Sequence, residues 1–162
     1  MKRLTTAIVG LGAAGLVLSA VPAQAGSDTI KVGVGISGVK VGHKKKTVVR
    51  KLGQPLHVQK GRNDDGPYQV LTYPHALSVT LVRKYVTKVV TVGAKQRTSK
   101  GIGVGSTKAE LTSAYSVSCQ RVATERHLKS CTIGEMKPGE IVTDFRLSRN
   151  VIHWVGIGTV LS

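Results

Sequence analysis

The spacing of apolar residues changes several times along the chain and divides it into segments of different character. Leu4–Val21 is an apolar stretch rich in glycine and alanine, preceded by the basic Met1-Lys2-Arg3 and followed by Pro22-Ala23-Gln24-Ala25. Small residues at Ala23 and Ala25 suit a signal peptidase, so we expect residues 1–25 to be a signal peptide cleaved before Gly26. Gly10, Gly12, Gly15 and Pro22, with no basic stop-transfer flank, argue against a spanning helix. No later apolar run approaches the length needed to cross a bilayer, so no integral membrane segment is expected after cleavage.

Beyond Gly26 two other periods alternate. Leu111, Ala114 and Tyr115 recur at helical spacing, and Thr107-Lys108-Ala109-Glu110 ahead of them has the form of a capping box. Val48, Lys51 and Leu52 make the matching face of an earlier helix that begins at Lys44-Lys45-Lys46. Period-two alternation then predicts strands at Tyr68–Tyr73, Leu77–Val82 and Val86–Val92, entered through the turn residues Asp64-Asp65-Gly66-Pro67. Ile141–Leu147 and Val151–Ile157 read as a hairpin around Arg149-Asn150, with a first strand near Cys131–Ile133.

These segments occur twice in the same order. Residues 39–53 align with 102–116 at an offset of 63, which brings Val41-Gly42 onto Val104-Gly105 and Val48 onto Leu111. Tyr85–Val90 aligns with Asn150–Val155 at an offset of 65. We therefore expect an α+β fold of two tandem repeats, residues 26–100 and 101–162. Each would be a short helix followed by a three-stranded antiparallel sheet, the two sheets sharing one layer or core. A single copy holds too little apolar surface to be stable alone.

Composition narrows the class. Apolar residues are 41% of the chain, enough for a core, while aromatics are only 4%, so Val, Ile and Leu must fill it. Cys119 and Cys131 are the only cysteines, and in an exported chain an even pair predicts a disulfide. It would tie the first strand of the second repeat to the end of the preceding helix. With His127 the two thiols fit no common zinc spacing, so no metal is expected.

Evidence for catalysis is thin. Gly33-x-Gly35-x-x-Gly38 has dinucleotide-binding spacing, but it leads into the strand-like Val39-Lys40-Val41, and no acid lies between Asp28 and Asp64. Ser37, His57 or His75, and Asp64 or Asp65 could supply a triad on paper, yet no nucleophile-elbow sequence is present. The five histidines share no ligand spacing. Neither an enzyme nor a cofactor or nucleotide is expected.

Charge is the remaining signal. The net charge is +16, and residues 26–100 carry 15 Lys and Arg against 3 acids, whereas residues 101–162 carry 7 against 5. Lys44, Lys45 and Lys46 stand where a helix dipole disfavours cations, so helix stability does not account for them. With Arg50, Lys51, Arg83, Lys84 and Lys88 they form the candidate anion-binding set. High charge also serves solubility. The outward-facing reading is attraction to anionic cell-envelope polymers; nucleic acid is not expected, because a secreted chain rarely meets it and paired stacking aromatics are scarce.

The run Val-x-Val-Gly, helix, Leu-Gly-x-Pro from Val39 to Pro55, followed by strands, resembles the tandem-repeat fold of the secreted beta-lactamase inhibitory proteins. It is also similar to the small outer-membrane assembly lipoprotein domain. The resemblance implies a non-catalytic scaffold whose exposed sheet face binds another protein. The resemblance is taken for the fold and for no binding residue. A second expectation, from our own reading of the residues, is a secreted inhibitor-like module that grips a secreted or envelope partner protein or enzyme with its sheet face around Tyr73, Tyr85 and Trp154.

Overall fold

The computed structural model describes residues 28–125 and 127–161. Short strands β1 (Asp28–Lys31), β2 (Gly35–Ile36) and β3 (Val39–Lys40) lead into helix α1 (Lys45–Leu52). Four longer strands follow: β4 (His57–Asn63), β5 (Gly66–Tyr73), β6 (Leu77–Val82) and β7 (Tyr85–Thr91). The second passage runs through β8 (Arg97–Thr98), α2 (Lys108–Ala114), β9 (Ser118–Arg121), β10 (Leu128–Ile133), β11 (Ile141–Ser148) and β12 (Val151–Thr159). Strands β4–β7 and β9–β12 make one sheet in the order β4-β5-β6-β7-β12-β11-β10-β9, antiparallel throughout. A small sheet, β3-β2-β1-β8, completes the strands.

One face of the large sheet is buried. Leu71, Leu77, Val79, Leu81, Val86 and Val89 line it from the first four strands, and Phe145, Leu147, Ile152, Val155 and Ile157 from the last four. Val48 of α1, Leu111 of α2, and Ile30, Ile36 and Val39 of the small sheet cover them. Period-two alternation sends the intervening residues of each strand to the opposite, open face.

Both helices are docked by the same set of backbone hydrogen bonds. Gly42 N–H donates to Val86 O and Val86 N–H to His43 O; Gly105 N–H donates to Ile152 O and Ile152 N–H to Ser106 O. Lys45 N–H donates to Lys84 O, and Lys108 N–H to Asn150 O. A hairpin carbonyl thus satisfies one of the orphan amides at each helix start. At α2 the predicted capping box is present: Thr107 Oγ1 accepts from Glu110 N–H at 3.2 Å, and Glu110 Oε2 accepts from Thr107 N–H at 2.6 Å. At α1 the cap residue is Lys44, which makes no side-chain cap bond.

The architecture corrects the expected α+β pair of helix-plus-three-strand repeats. Strand accounts for 51% and helix for 11% of the described residues, and each helix is followed by a four-stranded run of the large sheet. The strands not expected are β1, β2 and β8 of the small sheet and β4 and β9, the two edges of the large one. The sequences of the two edges, HVQKGRN and SCQR, each put one apolar residue, Val58 and Cys119, against the core, too few for a period-two signal. The disulfide Cys119–Cys131 forms, but Cys119 lies on β9 directly opposite Cys131 on β10 rather than at the end of the helix. The matching bridges Lys44–Tyr85 and Thr107–Val151 put the later offset at 66, one more than the sequence alignment allowed.

The disulfide holds the outer strand β9 against β10. Replacing both Cys119 and Cys131 by Ala is expected to cost roughly 3 kcal/mol in denaturant unfolding. Hydrogen exchange would increase first in Ser118–Arg121.

Candidate binding surfaces

The candidate cations separate into two surfaces and one outlier. At the start of α1, Lys44 and Lys45 stand beside the two-residue β6–β7 turn formed by Arg83 and Lys84, through the Lys45–Lys84 backbone bond and the Lys44–Tyr85 bridge. Lys44 Nζ lies 5.8 Å from the Tyr85 ring centroid, and Lys45 Nζ donates to Gln69 Oε1 at 2.7 Å. Arg83 and Lys84 have φ of +49° and +79°. A two-residue hairpin turn demands positive φ, and glycine or asparagine meets that demand at little cost. Two long cationic side chains do not.

On the other flank of α1, Arg50 and Lys51 face His43, with Lys40 nearby. Lys40 N–H donates to His43 Nδ1 at 3.2 Å. Desolvation lowers the His43 pKa below the ordinary 6.5, and the charges of Lys51, Lys40 and Arg50 lower it further. Lys46 is exposed on the same helix. Among the described residues the ion pairs are Lys137–Glu135 and Arg146–Asp144, so no pair involves the cations around α1.

Lys88 is the outlier: it belongs to the open face of the large sheet. A bulge at Thr87 and a matching one at His153 turn Lys88 and Trp154 outward while Val86 and Ile152 remain in the core. A groove of about 500 Å³ crosses this face. Its floor depends on glycine. A Cβ at Gly156 would fall 2.4 Å from Trp154 Cη2, one at Gly158 3.1 Å from Lys88 Cγ, and one at Gly61 2.4 Å from the Tyr68 ring. Each long side chain therefore lies flat in space that a missing Cβ leaves free.

Two cations meet at the indole: Lys88 Nζ is 4.9 Å and Arg146 Cζ 5.0 Å from the Trp154 ring centroid. Asp144 accepts from Ser130 Oγ and pairs with Arg146 Nε at 3.5 Å. Desolvation lowers the Lys88 pKa, Arg146 adds to the effect, and Asp144 opposes it.

The three predicted aromatic contacts do not share a surface. Tyr73 is 3% exposed in the core, because its position in β5 alternates with that of the open-face residues, and its hydroxyl has no partner. That removes it as a contact residue. Tyr85 is 48% exposed but lies under Lys44 beside α1, and Trp154 is half-buried in the groove. Tyr68, Asp144 and Arg146 were not singled out from sequence. The glycines inside strands at Gly61, Gly156 and Gly158 were the signal that could have located the groove.

No model of a known protein family matches the chain, and no curated protein matches it. Among solved structures it is similar to an extracellular protein containing a SCP domain from Bacillus anthracis, with a TM-score of 0.53 at 7% identity over 74% of this chain and 44% of that one. It is also similar to a cysteine-rich secretory protein from Staphylococcus aureus, with a TM-score of 0.52 at 17% identity over 83% of this chain and 48% of that one. The chain spans less than half the length of either protein, and at these identities the likeness is one of fold.

In a proton NMR titration His43 is expected to change charge below pH 6.5, moving back toward 6.5 as added salt screens Lys51, Lys40 and Arg50. The folded value lies below the unfolded one. The stability contributed by the neutral ring is therefore complete above pH 6.5 and is lost as pH falls through the folded value.

Proposed function

We propose that this protein is a secreted, non-catalytic binding module that attaches to anionic polymers of the cell envelope through the basic surface around α1. The observation that carries this reading is the grouping of Lys44 and Lys45 with Arg83 and Lys84, where the turn accepts left-handed backbone in two cationic residues. His75–Ala76 and Arg149–Asn150 adopt the same left-handed backbone, so the support comes from four cations meeting at one place rather than from the turn's backbone alone. Arg50, Lys51 and Lys40 extend the surface around His43, whose pKa is lowered first by desolvation and then by these three charges. A chain of phosphates or carboxylates would meet several cations at once.

Export agrees with the leader-like residues 1–25, which lie outside the described residues, and with the disulfide. The two neighbours described as extracellular and secretory point the same way. The inhibitor-like alternative is less well supported, since Tyr73 is in the core and Tyr85 belongs to the basic surface, leaving Trp154 alone of its three anchors.

Co-sedimentation of residues 26–162 with intact envelopes across a salt series tests the reading. Binding is expected at low salt and should collapse toward 0.15 M, where the Debye length has shrunk to about 8 Å. Retention that ignores salt, or no binding at any salt, contradicts it. The Arg83→Asn, Lys84→Gly double variant separates function from stability. It should unfold later, by about 1 kcal/mol or more in denaturant, yet sediment less with envelopes.

A further inference from the structure

The groove on the open face carries chemistry that the surface around α1 does not use. Its walls are largely apolar, with Val70 and Val82 on one side of the Lys88–Trp154 centre and Val142, Met136 and Leu161 on the other. At the centre, Lys88 and Arg146 both lie against Trp154, and the one carboxylate there, Asp144, is already engaged by Ser130 and Arg146. Arg146 does not itself line the groove, but it pairs with Asp144, so among the described residues Lys88 is the lining cation with no ion pair. A volume of about 500 Å³ falls within the range of small-molecule sites.

The lining discriminates between kinds of occupant. Thr80, Thr87, Ser130, Thr132 and Thr159 also line the groove, but its exposed lining is mostly apolar, and each backbone N–H or C=O of an extended peptide left unpaired against it would cost free energy. A hydrocarbon chain has no such groups, and it gains by leaving water. Lys88 calls for one anionic group attached to that chain. On this charge complementarity we infer that the groove binds a single-chain amphiphile with an anionic head, the head at Lys88 and the chain along the apolar wall. Alkyl carboxylates and alkyl phosphates share this chemistry. The site is independent of the proposed envelope attachment, since Lys44, Lys45, Arg83 and Lys84 contribute nothing to it.

Trp154 is the only tryptophan of the chain and lies within the groove, so its emission reports occupancy directly. Residues 26–162 would be titrated with dodecanoate and dodecyl phosphate below their micellar concentrations, with dodecanol and butanoate as controls. A saturable change in emission is expected with at least one of the two dodecyl anions, and which of them binds more tightly identifies the head group. Dodecanol and butanoate should each bind at least about tenfold more weakly.

Lys88→Met, which keeps an apolar stem, should raise the dodecanoate Kd by about tenfold or more. Val70→Glu, which puts a carboxylate on the wall, should do the same by calorimetry. Lys44→Ala with Lys45→Ala should leave the Kd unchanged. Dodecanol binding as tightly as dodecanoate overturns the inference, as does an unchanged Kd in Lys88→Met. So does an emission change that tracks dimer formation in sedimentation, which would make a second copy of the chain the occupant.

Discussion

The seam between β7 and β12 is the constraint on which the rest of the molecule depends. Thr91, Val90, Val89 and Lys88 pair with Val155, Gly156, Ile157 and Gly158, and this ladder joins two four-stranded meanders into one sheet. Only the joined sheet is wide enough for α1, α2 and the small sheet to bury a common core behind it. The seam also sets the open face. Gly156 and Gly158 leave room there for Trp154 and Lys88 to lie flat, so the ladder that completes the core also builds the floor of the groove.

Each helix is anchored by the hairpin that ends its own meander, and this explains an asymmetry in the caps. Thr107 and Glu110 give α2 a full capping box, whereas α1 starts at Lys44 with no side-chain cap. The Lys84 carbonyl accepts from the first α1 amide, so Lys44, Lys45 and Lys46 are tolerated although the dipole opposes them. The adjoining turn shows the same preference for charge over local stability, with Arg83 and Lys84 where glycine or asparagine would sit more easily. The two departures lie about 40 residues apart in the chain and are brought side by side by the Lys45–Lys84 backbone bond. The second half of the chain is nearly balanced in charge and keeps the stable cap.

Strands that face the core on one side were legible because burial imposes period two: Leu77–Val82 alternates without a break and is β6 to the residue. The capping box at α2 was legible because it is a local exchange between residues three apart. The edge strands β4 and β9 were not, since they bury little and carry no alternation. The share of strand was therefore underestimated, and the class was read as α+β. Tyr73 was misjudged for a related reason. Chemistry alone makes any tyrosine a candidate contact, and only the register with Leu77 shows that this one faces inward. Lys88 was grouped with the other cations by sequence proximity, but the bulge at Thr87 turns it to the opposite side of the sheet.

By itself the sequence determined which segments are helix and which are core strand, that the cysteines pair, and that positive charge concentrates in the first half. Each of these follows from local periodicity, compartment chemistry or counting. Only the tertiary structure decided how charge and aromatics divide into surfaces. It brings Lys44 and Lys45 to Arg83 and Lys84, about 40 residues away in the chain, and it sets Lys88 and Arg146 on either side of the seam against Trp154. The physical reason is that a strand's outward residues carry no mark of which neighbour they will meet. That is fixed by strand order and by single-residue bulges, which depend on long-range pairing.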